Sequence, residues 1–189
     1  DFPAALDQSY RALGKASVAV RSSALGEDGG EASFAGQYDT VLNVQGPQEL
    51  RDAIRRCVAS ATNERARSYQ QAHFGSDTIT MNIVVQAMVD ARAAGVVFTA
   101  DPVSARRDLL VIDAVAGLGE ALVSGEATPD HYGVHSSGTI VRRQLTGANS
   151  LLSDTEIMAI ATQARAAAQH EGHPLDLEWA IDHEGTLYW

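Results

Sequence analysis

Lysine is almost missing from this chain of 189 residues, Lys15 being the sole lysine among 14 basic side chains. Within this chain, side-chain positive charge for an anionic ligand comes from arginine, because Lys15 precedes the first strand and reads as a surface residue. Cysteine is as scarce. The single thiol, Cys57, excludes a disulfide within the chain and suits a reducing compartment. No apolar run approaches the length that spans a bilayer, and the opening DFPAALDQSY lacks a signal-peptide pattern, so a soluble, cytoplasmic protein with no membrane contact is expected. The net charge of −10 argues against a nucleic-acid surface, which needs a basic stripe. Internal repeats, low-complexity segments and long linkers are also missing.

What is present is an apolar content of 45%, enough at this length for one good core or for two small lobes sharing a cleft. The stretch from Val18 to Val44, VAVRSSALGEDGGEASFAGQYDTVLNV, organises the rest. Alternation along a strand predicts that Arg21 leaves on the face opposite Val18 and Val20. Its planar guanidinium suits two-point contact with phosphate. In the SFAGQ loop, Ser33, Ala35 and Gly36 are small enough for backbone N–H groups to approach an anion. The loop is not a Walker loop, and an ordinary hairpin with a surface arginine fits the local chemistry as well.

Around this stretch, Phe2, Leu6, Tyr10 and Leu13 fall at helical spacing before Gly14, and a long helix is expected from Gln48, with Leu50, Ile54, Cys57, Val58 and Ala61 as its apolar stripe. Thr78 to Val89 reads as a strand with Gln86 and Met88 on one face. A turn is expected at Asp90 to Ala94, then the strand GVVFTADPV, which Pro102 ends so that Thr99 and Asp101 stand at its mouth. LLVIDAVA is an apolar strand, GEALVSG a short helix with Glu120 near its start, and TPDHYGVH with GTIVRRQL a hairpin turning at Ser136 to Gly138. His131 and His135 share a face of that hairpin, but no cysteine or third histidine lies at ligand spacing nearby, so a polar sheet face is expected rather than a metal pair. Ser153 and Glu156 form a capping box for a helix with Ile157, Ile160, Ala161, Ala164 and Ala168 inward. Finally, LDLEWAIDHEGTLYW reads as two strands joined at Asp182 to Gly185. Asp176 and Glu178 project from one face and Leu175, Leu177 and Trp179 from the other. Paired carboxylates of this kind suit Mg²⁺, which takes few protein carboxylates together with phosphate oxygens; a half-exposed edge strand is the plainer alternative.

The Val18–Val44 stretch, followed by IVVQAMV, GVVFTADPV, GLGEALVSG, TPDHY and DLEW in that order, resembles the nucleotide-binding domain shared by phosphoenolpyruvate synthase, pyruvate phosphate dikinase and rifampicin phosphotransferase. The SFAGQ loop is more similar to the synthase and rifampicin branches. The resemblance covers nearly the whole chain from Val18 to Trp189 and implies an α+β, ATP-grasp-like domain of residues 1–189, with mixed or antiparallel sheets packed with helices around a nucleotide cleft and two lobes, roughly 1–85 and 86–189. It implies ATP and Mg²⁺ as cofactors, with Arg21 on phosphate, Ser33, Gly36 and Gln37 in the phosphate loop, Thr40 lining the pocket, and Gln86 and Met88 at adenine. Glu178 matches the family's metal-binding glutamate, with Asp176 assisting. It also implies transfer of the ATP β-phosphate to a histidine on a separate swivelling domain and then to pyruvate. An antibiotic acceptor, a non-catalytic nucleotide-binding module and an unrelated small protein are the rivals. None of the six histidines has the Gly-Gly, Ser-His setting of the family's carrier, and the chain stops short of a Gln-x-Arg-Pro segment, so a fragment truncated at both ends and inactive alone is expected, its phosphate-site lysine, carrier and acceptor domain lying elsewhere.

Overall fold

The computed structural model describes residues 4–14, 17–24, 28–29, 32–33, 40–60, 81–123 and 125–189. The chain divides into two compact units, Asp1–Met88 and Val89–Trp189. The first runs α1 (Ala4–Ala12), β1 (Val18–Ala24), β2 (Asp28–Gly29), β3 (Ala32–Ser33), β4 (Thr40–Val44), α2 (Gly46–Ser60) and β5 (Met81–Ala87). Here β1 is the central strand, antiparallel to β4 and to β5, while β2 and β3 pair separately. Val18 and Val20 are wholly buried with Val44, Leu50, Ala53 and Cys57, and Arg21 is exposed, as alternation along β1 requires. The Cys57 thiol lies 3.5 Å from the Val20 carbonyl, so it is a packing group.

Two boundaries in this unit differ from the sequence expectation. Val58 is half exposed, because the buried stripe of α2 runs Leu50, Ala53, Cys57, Ser60 and leaves Val58 on its flank. β5 ends at Ala87, so Met88 follows the strand, its backbone N–H bonded to Ser17. Leu6 and Tyr10 of α1 pack on the core, Leu13 is exposed, and Arg51 of α2 pairs with Asp7 of α1.

The second unit runs β6 (Ala91–Phe98), β7 (Leu109–Ala116), α3 (Glu120–Val123), β8 (Asp130–His135), β9 (Ile140–Gln144), α4 (Asp154–Glu171), β10 (Asp176–Asp182) and β11 (Leu187–Tyr188). Its six strands lie in the order β11-β10-β6-β7-β8-β9, every neighbour antiparallel. The expected α+β architecture is therefore present, with antiparallel pairing throughout the described strands. The turn expected at Asp90 to Ala94 is instead the start of β6. Alanine and arginine are weak strand formers, but Ala91–Ala94 lies in a central strand where pairing on both sides overrides propensity.

One face of the sheet is sealed by α4. Ala93, Val97, Leu110, Ile112, Tyr132, Val134, Trp179 and Ile181 meet Ile157, Ile160, Ala161 and Ala164 in a continuous core. The capping box is formed: Ser153 Oγ accepts from the Glu156 N–H, and the Glu156 carboxylate accepts from the Ser153 N–H. Gly95 is required by packing, because a Cβ there would overlap the Asp113 carbonyl oxygen and touch the Trp179 ring. Among the described residues no helix is long and apolar enough to cross a membrane.

Candidate functional site

Register fixes which side chains of the second unit share the sheet face turned away from α4. One cross-strand row reads Glu178, Val96, Asp113, His131, Gln144, and the next reads Asp176, Phe98, Val111, Gly133, Arg142. Asp176 and Glu178 are exposed on this face, whereas Trp179 between Glu178 and Ala180 is buried on the other. The segment after β7 turns back over one end of the face, so that a Cβ added at Gly119 would lie 3.7 Å from the Ala94 Cβ, and α3 starts at the exposed Glu120. Acidic side chains thus line one margin of the face and Arg142 with Gln144 the other, over a floor of Val96, Phe98 and Val111.

In the middle of that floor, Asp113 Oδ1 lies 2.6 Å from His131 Nδ1, both side chains partly buried. Sequence reasoning passed over Asp113. Its signal was present, since it is the lone charged residue in the otherwise apolar LLVIDAVA strand. His135 is on the same face but turns to Ser137 and Asp108, and among the described residues no group of three or more His, Cys, Asp or Glu gathers as a metal cage.

Thr99 and Asp101 are not at an open mouth. Both are buried, and each is spent on the backbone. Thr99 Oγ1 accepts from the Leu175 N–H at 2.6 Å, tying β6 to the start of β10. Asp101 accepts from Ser104 Oγ and the Val103 N–H, bonds that hold its carboxyl below the usual range and fix the loop to Asp108. Asp108 is forked by Arg106, whose hydrogen bonds hold its pKa down at about 2.

Asp130, also unforeseen, is 1% exposed and accepts from the Thr146 N–H and Oγ1, the Leu151 N–H and the Tyr132 hydroxyl. Burial pushes its pKa up, but those donors outweigh burial and the net shift is downward. It anchors the segment leading into α4 and has no access to a ligand.

In the first unit, Arg21 and Gln86 are exposed on β1 and β5, Thr40 is exposed at the start of β4, and Met88 is half buried. Arg21 stands opposite Thr40 on one side and Val84 on the other. Ser33 ends β3, but its side chain, together with Gly36, Gln37 and Lys15, lies outside the described residues.

A model of the pyruvate phosphate dikinase AMP/ATP-binding domain matches residues 1–151. The chain belongs to this family. A probable phosphoenolpyruvate synthase of Methanothermobacter thermautotrophicus is 39% identical across all of this chain and 32% of its own length. A rifampicin phosphotransferase of a Streptomyces species is 38% identical over 90% of this chain and 22% of its own, and a prodigiosin synthesizing transferase of Serratia marcescens 39% identical over 95% and 23%. The chain therefore spans about a third or less of these relatives. The dikinase family model stops before β10, but similarity to the Methanothermobacter protein continues through Asp176 and Glu178.

Proposed function

We propose that this chain is the ATP-binding part of a cytoplasmic, phosphoenolpyruvate synthase-like phosphotransferase, with an ATP-grasp-like fold. The family supplies the nucleotide, and the observation that carries the rest is the exposed Asp176–Glu178 pair on a sheet face whose reverse is a sealed core. Two carboxylates fit Mg²⁺ that completes its shell with phosphate oxygens and water. Glu178 would hold the cation, with Asp176 assisting, and the cation would neutralise phosphate charge during transfer. Arg21 would clamp a phosphate, with Ser33, Gly36 and Gln37 supplying the phosphate loop, Thr40 lining the pocket, and Gln86 and Met88 contacting adenine. The chain's own contribution is positioning and charge compensation.

In this reading the ATP β-phosphate passes to a histidine on a swivelling domain and then to pyruvate, both the carrier and the acceptor site lying in sequence beyond these 189 residues. The piece alone is expected to bind ATP weakly and to turn over nothing. A second reading keeps the same site with an antibiotic acceptor, since identity to the rifampicin enzyme is 38% against 39% for the synthase.

The test is calorimetric titration of the full-length protein with Mg·ATP, followed by ATP consumption with pyruvate or rifampicin added. Binding with pyruvate-dependent consumption is expected. Rifampicin dependence would select the second reading, and no binding would end both.

A further inference from the structure

The nucleotide assignments above leave the Asp113–His131 pair without a task. The two residues are direct cross-strand partners on β7 and β8, and the imidazole Nδ1 lies 2.6 Å from Asp113 Oδ1. An ionised carboxylate can only accept, so Nδ1 carries the proton and donates. In the neutral ring Nε2 is then an acceptor. The side chains are 33% and 18% exposed, enough for a ligand to reach the ring while the strands hold it. Among the described residues Nε2 has no hydrogen-bond partner.

The same row leads through Val96 to Glu178. Three strand spacings separate the Glu178 and His131 backbones, about 14 Å, so the two side chains address different parts of a ligand rather than one cation. To Nε2 in that neutral tautomer ionised phosphate oxygens offer no donor, since they only accept, whereas a hydroxyl can donate. Of the donors on ATP, the adenine amine is assigned to Gln86 and Met88, which leaves the ribose hydroxyls.

We propose that His131, oriented by Asp113, accepts a hydrogen bond from a ribose hydroxyl of the bound nucleotide; this rests on the ATP reading above. His131 is the contact, and Asp113 is a positioning residue that selects the tautomer. Asp113→Asn can present its amide N–H to Nδ1, which moves the ring proton to Nε2 and turns the acceptor into a donor.

The experiment is titration of the full-length protein with Mg·ATP, Mg·2′-deoxyATP and Mg·3′-deoxyATP. Wild type is expected to bind ATP about five- to tenfold more tightly than one of the deoxy forms, the worth of one neutral hydrogen bond. His131→Ala should bring ATP down to the level of that deoxy form while leaving the deoxy affinity unchanged, which also shows that the variant is folded. Asp113→Asn should lose the same preference with the imidazole still present. Equal binding of all three nucleotides by wild type, or equal weakening of all three in His131→Ala, would overturn the ribose contact and leave the ATP reading standing. No binding of any nucleotide would remove the ATP reading and this contact with it.

Discussion

The two units treat their polar side chains differently. In the second, sheet face decides the fate of a polar group: Asp130 and Thr99 are buried and consumed by backbone donors and acceptors, while Asp176, Glu178 and the Asp113–His131 pair lie on the face away from α4. The first unit has a smaller core under three strands, and Arg21, Thr40 and Gln86 all stand at exposed positions of those strands. The lesson is that buried polar groups here maintain architecture and exposed ones on the strands are the candidates for ligand chemistry. Substitutions in the first class should therefore unfold, and those in the second should change affinity alone.

The largest effect is expected at Gly95. Gly95→Ala places a Cβ against the Asp113 carbonyl and the Trp179 ring, and should cost about 3 kcal/mol or more in a urea melt as β6 and β7 are forced apart. A melt within a few tenths of wild type would mean the sheet has slack at its centre.

Next comes Asp130→Ala, which strands the N–H groups of Thr146 and Leu151 and should cost about 2–3 kcal/mol. Its pH dependence has a defined sign. The folded-state pKa is lowered, so the stability it contributes is present above the ordinary value of 3.8 and is lost as pH falls through the folded value. The gap between wild type and Asp130→Asn should accordingly narrow below pH 3.8, and a gap that widened would reverse the assignment. Ser153→Ala should be milder, about 1 kcal/mol, through loss of the cap on α4.

Much of the fold was legible because the periodicities were clean. LDLEWAI alternates so regularly that the inward Trp179 and outward Glu178 followed from sequence, as did Val18, Val20 and Arg21 on β1. The capping box at Ser153 was a local signature needing no tertiary knowledge. What escaped was set by tertiary pairing. Ala91–Ala94 has little intrinsic strand preference and extends only because β7 and β10 flank it. Thr99 and Asp101 looked like mouth residues because polar side chains after a strand often are, yet Leu175, 76 residues away, supplies the partner that buries Thr99. Asp113 and His131 are 18 residues apart and meet only through register.

The central proposal is that Arg21 and Glu178 are each needed for Mg·ATP binding. Calorimetric titration of the full-length protein, wild type against Arg21→Ala and Glu178→Gln, tests it most directly. We predict that each substitution weakens Mg·ATP binding by about tenfold or more, the loss of one charged contact, with the melting curve unchanged. Undiminished binding in both variants, or a variant that unfolds instead of losing affinity, would contradict the account.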